Sequence, residues 1–287
     1  MSTTTDSSWR KLLRPDEPLL LPLAHDALAA RLIERAGFSA YAIGGFPLVG
    51  ARHALPDIGL VGLGEMSAGM RDIMAATRLP VLVDGDDGYG DVKNVTRTIQ
   101  VYEQLGASAI LLEDQVAPKR CGHMAGKSVV PAELMARKLR AAAAARQHGL
   151  FLIARTDARA VHGLDEALRR GELYLESGAD GVFIEAPESP EELERVGSEF
   201  RHVPQLANML EGGRTPLLAP AELFRMGFSM IAYPTTLIFR VARSIEKALA
   251  DLRRGQLTLA GEGTDFDAFK DMMGFAPWAE VEDQFGD

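Results

Sequence analysis

The chain has 287 residues, a formal net charge of −9 and a single cysteine, Cys121. The acidic balance excludes a protein that coats nucleic acid or an anionic membrane, because both require clustered Lys and Arg. One cysteine excludes an internal disulfide and fits a reducing, cytoplasmic compartment, and no apolar run is long enough to span a bilayer.

From the N-terminus, the opening MSTTTDSSWRKLLRP lacks the apolar centre of a signal peptide. After it, short apolar runs alternate with segments of helical spacing. LLLPLAH (19–25) precedes DALAARLIERAG (26–37), and SAYAIGG (39–45) precedes a long connection from Phe46 to Glu65. PVLVDGD (80–86) leads to VKNVTRTIQVYEQLG (92–106), and SAILLED (108–114) leads to PAELMARKLRAAAAARQHG (131–149), which opens with Pro and closes with Gly. LFLIARTD (150–157), GVFIEAP (181–187), PQLANML (204–210) and SMIAYPT (229–235) are followed by helical patterns over 164–178, 189–200, 219–227 and 235–255. The apolar runs are nearly continuous rather than alternating, as in parallel strands covered on both faces. Eight alternations predict one (β/α)8 TIM barrel domain over 1–287, with the tail from about 256 packing as a helical extension. A doubly wound open sheet is the rival, but it calls for a Gly-rich phosphate turn after its first strand, and LPLAHDALAA has none.

Barrels of this kind build their sites from the C-terminal strand ends. Those ends read Gly44-Gly45, Asp84-Gly85-Asp86-Asp87, Glu113-Asp114, Arg155-Thr156-Asp157, Glu185, Asn208 and Tyr233-Pro234. Strand period puts Asp84 and Asp86 on one face, with Glu113 on the next strand. Three converging carboxylates repel one another, and a divalent cation removes that cost; all-oxygen ligands select a hard ion such as Mg2+. Acids at strand ends also cap helices, and Asp87 and Asp91 suit that role better than a metal one. Arg155 is placed to fork a carboxylate, either of a substrate or of Glu185.

Cys121 sits in a polar loop, EDQVAPKRCGHMAGK (113–127), beside Lys119, Arg120 and His123. Those cations are expected to depress the thiol pKa. Gly122 and Gly126 would let the loop open and close. A Cys-His nucleophile pair is one reading; an acid or base beside a metal-bound anion is the other.

The motifs LPDIG (55–59), VDGDDGYG (83–90), EDQVAPKRCGH (113–123), ARTDA (154–158), FIEAP (183–187) and NMLEGGRTP (208–216) carry a resemblance. From about Tyr41 to Arg240 the chain resembles the isocitrate lyase/phosphoenolpyruvate mutase superfamily. KRCGH is similar to the lyase branch that includes 2-methylisocitrate lyase and 2,3-dimethylmalate lyase. The resemblance implies a barrel that swaps a C-terminal helix between the subunits of a homotetramer. It implies Mg2+ or Mn2+ held through Asp86, with Asp84 and Glu113 assisting largely through water. It implies substrate contacts from Asp57, Arg155, Glu185, Asn208 and the backbone amides at Gly44, Gly45, Cys121 and Gly122. The implied activity cleaves a substituted malate or isocitrate, a small di- or tricarboxylate, to a 2-oxo acid and a second carboxylic acid. Cys121 would protonate the departing carbanion, with Lys119, His123 and Glu113 as further catalytic groups. An oxaloacetate hydrolase and a phosphonate P–C enzyme are alternatives on the same site, and a non-catalytic barrel binding a dicarboxylate or a protein is the alternative of another class. The chain departs from the lyase pattern at Ile43, where many lyases carry Ser or Thr, and at DGDD, which adds Asp87.

Overall fold

The structure is a computed structural model that describes residues 9–256 and 263–286. All eight expected strands form: β1 (Leu19–Pro22), β2 (Tyr41–Ile43), β3 (Val81–Asp84), β4 (Ala109–Glu113), β5 (Phe151–Thr156), β6 (Gly181–Ile184), β7 (Leu206–Asn208) and β8 (Met230–Tyr233). Every pairing is parallel, running β2-β3-β4-β5-β6 and β7-β8-β1. Two parallel bridges, Leu23 with Ala42 and Val182 with Gln205, join these two arcs into a closed ring. The result is the (β/α)8 barrel expected of the alternating pattern.

Alternation of side chains sorts the two faces of each strand. Leu19, Leu21, Leu23, Ala42, Leu82, Ala109, Phe151, Ile153, Phe183, Leu206, Met230 and Ala232 fill the interior, and Trp9, fully buried, packs among them. The intervening residues, such as Val81, Val83, Ile110, Leu112, Leu152 and Ala154, face the helices. The same parity carries upward into the mouth. Asp84 follows Leu82, Glu113 follows Leu111, Arg155 follows Ile153, Glu185 follows Phe183 and Asn208 follows Leu206, each two residues on. The interior positions of five strands therefore end in polar groups aimed at one space.

The helices start where side chains can satisfy their first amides. Asp26 accepts from the Ala29 N–H at 2.7 Å, Asp91 from the Lys93 N–H at 2.9 Å, and Ser189 from the Glu192 N–H at 3.2 Å. The connection after β2 differs from expectation. It holds a helix over Gly45–His53, a loop, and a second helix over Leu63–Met74. Gly45, Pro47 and Gly50 disguise the first of these, although Pro is tolerated in a first turn.

The chain divides into two compact units, residues 1–238 and 239–287. Most of the helix Thr236–Arg253 belongs to the second unit. That unit also holds helices Phe266–Met272 and Phe275–Phe285. On Thr236–Arg253 a stripe of Val241, Ile245, Leu249 and Leu252 is exposed at helical spacing. Trp278 is 72% exposed.

Candidate active site

Four of the polar strand ends, Asp84, Arg155, Glu185 and Asn208, line one cavity with Gly44, Gly45, Asp57, Lys119, Cys121, Gly122 and His123. Its remaining walls are mostly apolar, including Leu23, Phe46, Leu206, Leu210 and Pro234. Ile43 lines it while also packing in the helix-facing core.

Its floor is a layer of charge. Lys119 Nζ lies 2.6 Å from Asp57 Oδ1 and 2.7 Å from Asp86 Oδ1, with all three side chains buried. Burial alone would lower the pKa of Lys119; Asp86 and Asp57 outweigh it and hold the ammonium well above its usual pKa. A Cβ at Gly45 would stand 3.1 Å from Lys119 Nζ and 3.2 Å from Asp57 Oδ1, so a side chain there would have to displace the ion pair by a few tenths of an ångström. Asp84 accepts from the Gly45 N–H at 3.2 Å and the Asp86 N–H at 3.0 Å. Strand period does not bring Asp86 to the site, since β3 ends at Asp84 and Asp86 has φ 47°. That left-handed turn is what swings its carboxylate onto Lys119.

The wall is built around Arg155. Its Nε and Nη2 fork Asp157 at 2.9 and 3.2 Å, and Nη2 also lies 3.1 Å from Glu185 Oε2 and 3.3 Å from Glu113 Oε2. The guanidinium stands 5.5 Å from the ring centre of Phe183. His123 Nδ1 accepts from the Arg214 N–H at 3.0 Å, so its proton resides on Nε2, which faces Glu185 Oε1 at 3.3 Å. Burial by itself would raise Glu185, but Arg155, then His123 and Lys127, lower its pKa to about 2.

The Cys121 loop is clasped over this wall. The Cys121 N–H donates to Asp57 O at 3.1 Å, joining it to the loop after β2. Gln115 braces it from within, accepting from the Arg120 N–H at 2.9 Å and donating to Arg120 O at 2.8 Å. Two backbone amides expected to face a substrate, those of Gly45 and Cys121, are thus engaged within the protein.

The expected depression of the Cys121 thiol is reversed. Burial pushes its pKa up, and Asp57 and Glu185 add to the rise, against the His123 backbone N–H and Arg155. The cations that suggested a thiolate are spent elsewhere: Lys119 on two carboxylates, and Arg120 on Ala125 O. The surroundings of Cys121 thus favour its thiol over its thiolate.

Asp91 caps a helix as expected, whereas Asp87 braces a turn and faces a lysine instead of capping. Asp87 accepts from the Tyr89 N–H and lies 3.6 Å from Lys138 Nζ, and Asp91 caps the helix Val92–Leu105. Three residues of the site escaped the sequence reading. Asp157 orients Arg155, Lys127 donates to both Gly122 O and Asp157, and Asp114 anchors the Asp157 N–H at 2.9 Å. Asp157 and Asp114 lay inside quoted motifs; Asp114 has the parity that points away from the barrel axis, whereas Asp157 shares the parity of Arg155 but follows the last residue of its strand. Lys127 had only the preceding Gly126 to mark it.

The phosphoenolpyruvate phosphomutase family profile matches residues 9–253. A 2,3-dimethylmalate lyase of Eubacterium barkeri is 41% identical over 284 residues, covering 98% of both chains. The chain belongs to the phosphoenolpyruvate mutase/isocitrate lyase superfamily. Among solved structures, an oxaloacetate acetylhydrolase in complex with 3,3-difluorooxalacetate matches with a TM-score of 0.92 at 29% identity, covering 97% of this chain and 96% of that one. A phosphonopyruvate hydrolase in complex with oxalate and Mg2+ matches with a TM-score of 0.85 at 28% identity, covering 96% and 97%.

Superfamily members depend on a divalent metal, and the residues present fit one in a particular way. Among the described residues no three Asp, Glu, His or Cys side chains are gathered as direct ligands. Of the three carboxylates expected around one ion, Asp86 and Glu113 pair with cations of the protein itself. Lys119 draws Asp86 one way and Arg155 draws Glu113 another. Yet Glu113 Oε1 is buried with no hydrogen-bond partner. Burial, above all, drives Glu113 well above the usual carboxylate range and Asp86 to about 6, with Asp84 adding to both. An acid layer this costly suits a hard cation that keeps much of its water, with few direct carboxylate ligands.

Proposed function

We propose that the chain is a Mg2+- or Mn2+-dependent carbon–carbon lyase. It cleaves a substituted malate- or isocitrate-type 2-hydroxy acid, with a second carboxylate beyond the scissile bond, to a 2-oxo acid and a second carboxylic acid. The observation that carries this reading is the Cys121 thiol lining the same cavity as Asp57, Asp84, Arg155 and Glu185, in a loop clasped over Arg155 and Glu185.

Asp86, with Asp84 and Glu113 assisting, would hold the metal, which would supply positive charge beside the substrate and make its hydroxyl more acidic. A floor carboxylate takes the hydroxyl proton; Lys119, held as an ammonium, is a cation there and not the base. The C2–C3 bond breaks, its electron pair passes to C3, and C2 becomes the carbonyl of the 2-oxo acid. Arg155, oriented by Asp157, and the Asn208 amide bind carboxylate oxygens and stabilise the charge that develops. Cys121 gives its S–H proton to C3, and the clasped loop keeps bulk water from doing so at random. Glu185 holds His123 and Arg155 in place. The apolar walls suit alkyl groups on C2 and C3.

We further propose a cytoplasmic homotetramer in which the exposed stripe of Thr236–Arg253 is covered by a second copy of the chain, as in helix exchange between subunits. No helix among the described residues is long and apolar enough to cross a membrane.

The test incubates the protein with Mg2+ and 2,3-dimethylmalate, 2-methylisocitrate, isocitrate and oxaloacetate, following products by NMR, with Cys121→Ser alongside. Pyruvate or glyoxylate from a hydroxy acid, lost in Cys121→Ser, is the expected result. Oxalate from oxaloacetate alone would replace the lyase reading with a hydrolase. Ile43 argues against that outcome, because it offers no hydroxyl to a hydrated ketone.

A further inference from the structure

Lys127 lies at the base of the Cys121 loop, two residues before Val129, which bridges to Gln115; beside it the Val116 N–H donates to Ser128 O at 2.9 Å. The loop base is thus fixed by backbone pairing. From this fixed point the Lys127 side chain, 2% exposed, runs back under the loop and donates to Gly122 O, next to Cys121, and to Asp157 Oδ1 at 2.6 Å. Asp157, fully buried, is the same carboxylate that forks Arg155, and its backbone N–H is tied to Asp114. Asp114 in turn accepts from Thr156 Oγ1, Arg170 Nη1 and Tyr174 OH at 2.7 to 2.9 Å, a rigid wall behind the site. Burying an ammonium without loss requires both a counter-charge and acceptors, and Lys127 has them only while Gly122 O sits on it.

We infer that Lys127 is a positioning residue: its ammonium latches the Cys121 loop closed and, through the shared Asp157, ties that closure to the orientation of Arg155. Loop lifting removes Gly122 O from the ammonium and leaves its second donor direction empty inside the protein. The latch therefore biases the loop toward the conformation in which the thiol faces the cavity. The inference rests on the lyase reading for its catalytic consequence, but its structural content can be tested without any substrate.

Cys121 is the chain's single cysteine, so iodoacetamide alkylation reports on this loop alone. Lys127→Met keeps the length of the side chain and removes its charge and donors. In the folded variant, alkylation of Cys121 should accelerate about tenfold, the scale of a lost charged hydrogen bond. On whichever substrate the parent cleaves, kcat should fall about tenfold or more while KM moves less than about threefold, because the latch acts after binding. Should Lys127→Met fail to fold, Lys127→Gln, which keeps a donor for Gly122 O without the charge, is put through the same measurements. Alkylation at the parental rate in a folded variant, whether or not its melting temperature drops, would overturn the latch. Faster alkylation in a protein that cleaves nothing on the panel would leave the latch standing and remove the lyase reading.

Discussion

Gly122 offers the sharpest test of the closed loop. A Cβ added there would stand 2.5 Å from both Arg155 Nη2 and Glu185 Cδ. Both side chains are pinned, Arg155 by Asp157 and Glu185 by Arg155 and the Ala186 N–H at 2.9 Å. Neither can yield cheaply, so Gly122→Ala is expected to lift the loop rather than distort the wall. Overpacking of this kind costs about 1–3 kcal/mol. Loop lifting also breaks the Cys121 N–H to Asp57 O bond and the Lys127 to Gly122 O contact. At 1.36 kcal/mol per factor of ten, the closed population and with it kcat/KM should fall about 5- to 150-fold. The loop rather than the barrel core relieves the clash, so the melting temperature should fall by less than the roughly 2–12 °C that the full 1–3 kcal/mol would give. The assay couples 2-oxo acid release to a NADH-linked dehydrogenase, with Cys121 alkylation measured in parallel. A Gly122→Ala enzyme with kcat/KM within twofold of the parent would refute the seating of this loop on Arg155 and Glu185.

Metal binding should appear as a melting shift of about 5–10 °C with Mg2+ at a hundredfold excess over its Kd, from the ~2.7 kcal/mol that such saturation supplies. Glu113→Gln should lose most of that shift, while melting no lower than the parent without metal, since the amide removes a buried charge with an unpartnered oxygen; an undiminished Mg2+ shift would exclude Glu113 from the metal's surroundings. Ile245→Glu with Leu249→Glu, each removing about 1.5–3 kcal/mol of apolar burial per copy, should convert a tetramer into smaller species by light scattering with unchanged circular dichroism. A monomeric parent would instead discard the proposed assembly.

Much of the barrel was legible because buried parallel strands must be apolar on both faces and must stop at Gly, Pro, Asp or Asn. The parity of those strands also carried Asp84, Glu113, Arg155, Glu185 and Asn208 to their places. What was hidden lay where the backbone leaves strand geometry. Asp86 reaches Lys119 through a left-handed turn, which period-two reasoning cannot foresee. The helix Gly45–His53 hid behind two glycines and a proline. The thiol pKa was misjudged for a further reason. Sequence shows which cations are near Cys121, but not that Asp57 and Asp86 had already taken the charge of Lys119.

Two carboxylates on one guanidinium show how far such pairing decides function. Glu113 and Glu185 are both buried and both approach Arg155 Nη2, at 3.3 and 3.1 Å. Burial raises both, yet they part in opposite directions. Glu185 is brought down to about 2 by Arg155, His123 and Lys127. Glu113 stays well above 4.5, because Asp157 and Asp84 repel it and Oε1 has no donor. The consequences for stability have opposite signs. The contribution of Glu185 is full above pH 4.5 and is lost as pH falls toward 2. That of Glu113 is full below pH 4.5 and is lost as pH rises through its raised folded-state value. At neutral pH Glu185 is accordingly a fixed anion that orients Arg155 and His123. Glu113, buried and with Oε1 unpartnered, is the carboxyl of the two whose surroundings favour the protonated form. Environments that drive paired acids apart in this way separate a structural anion from a group free to exchange protons, and here they place the exchangeable one in the same charged layer as Asp84 and Asp86.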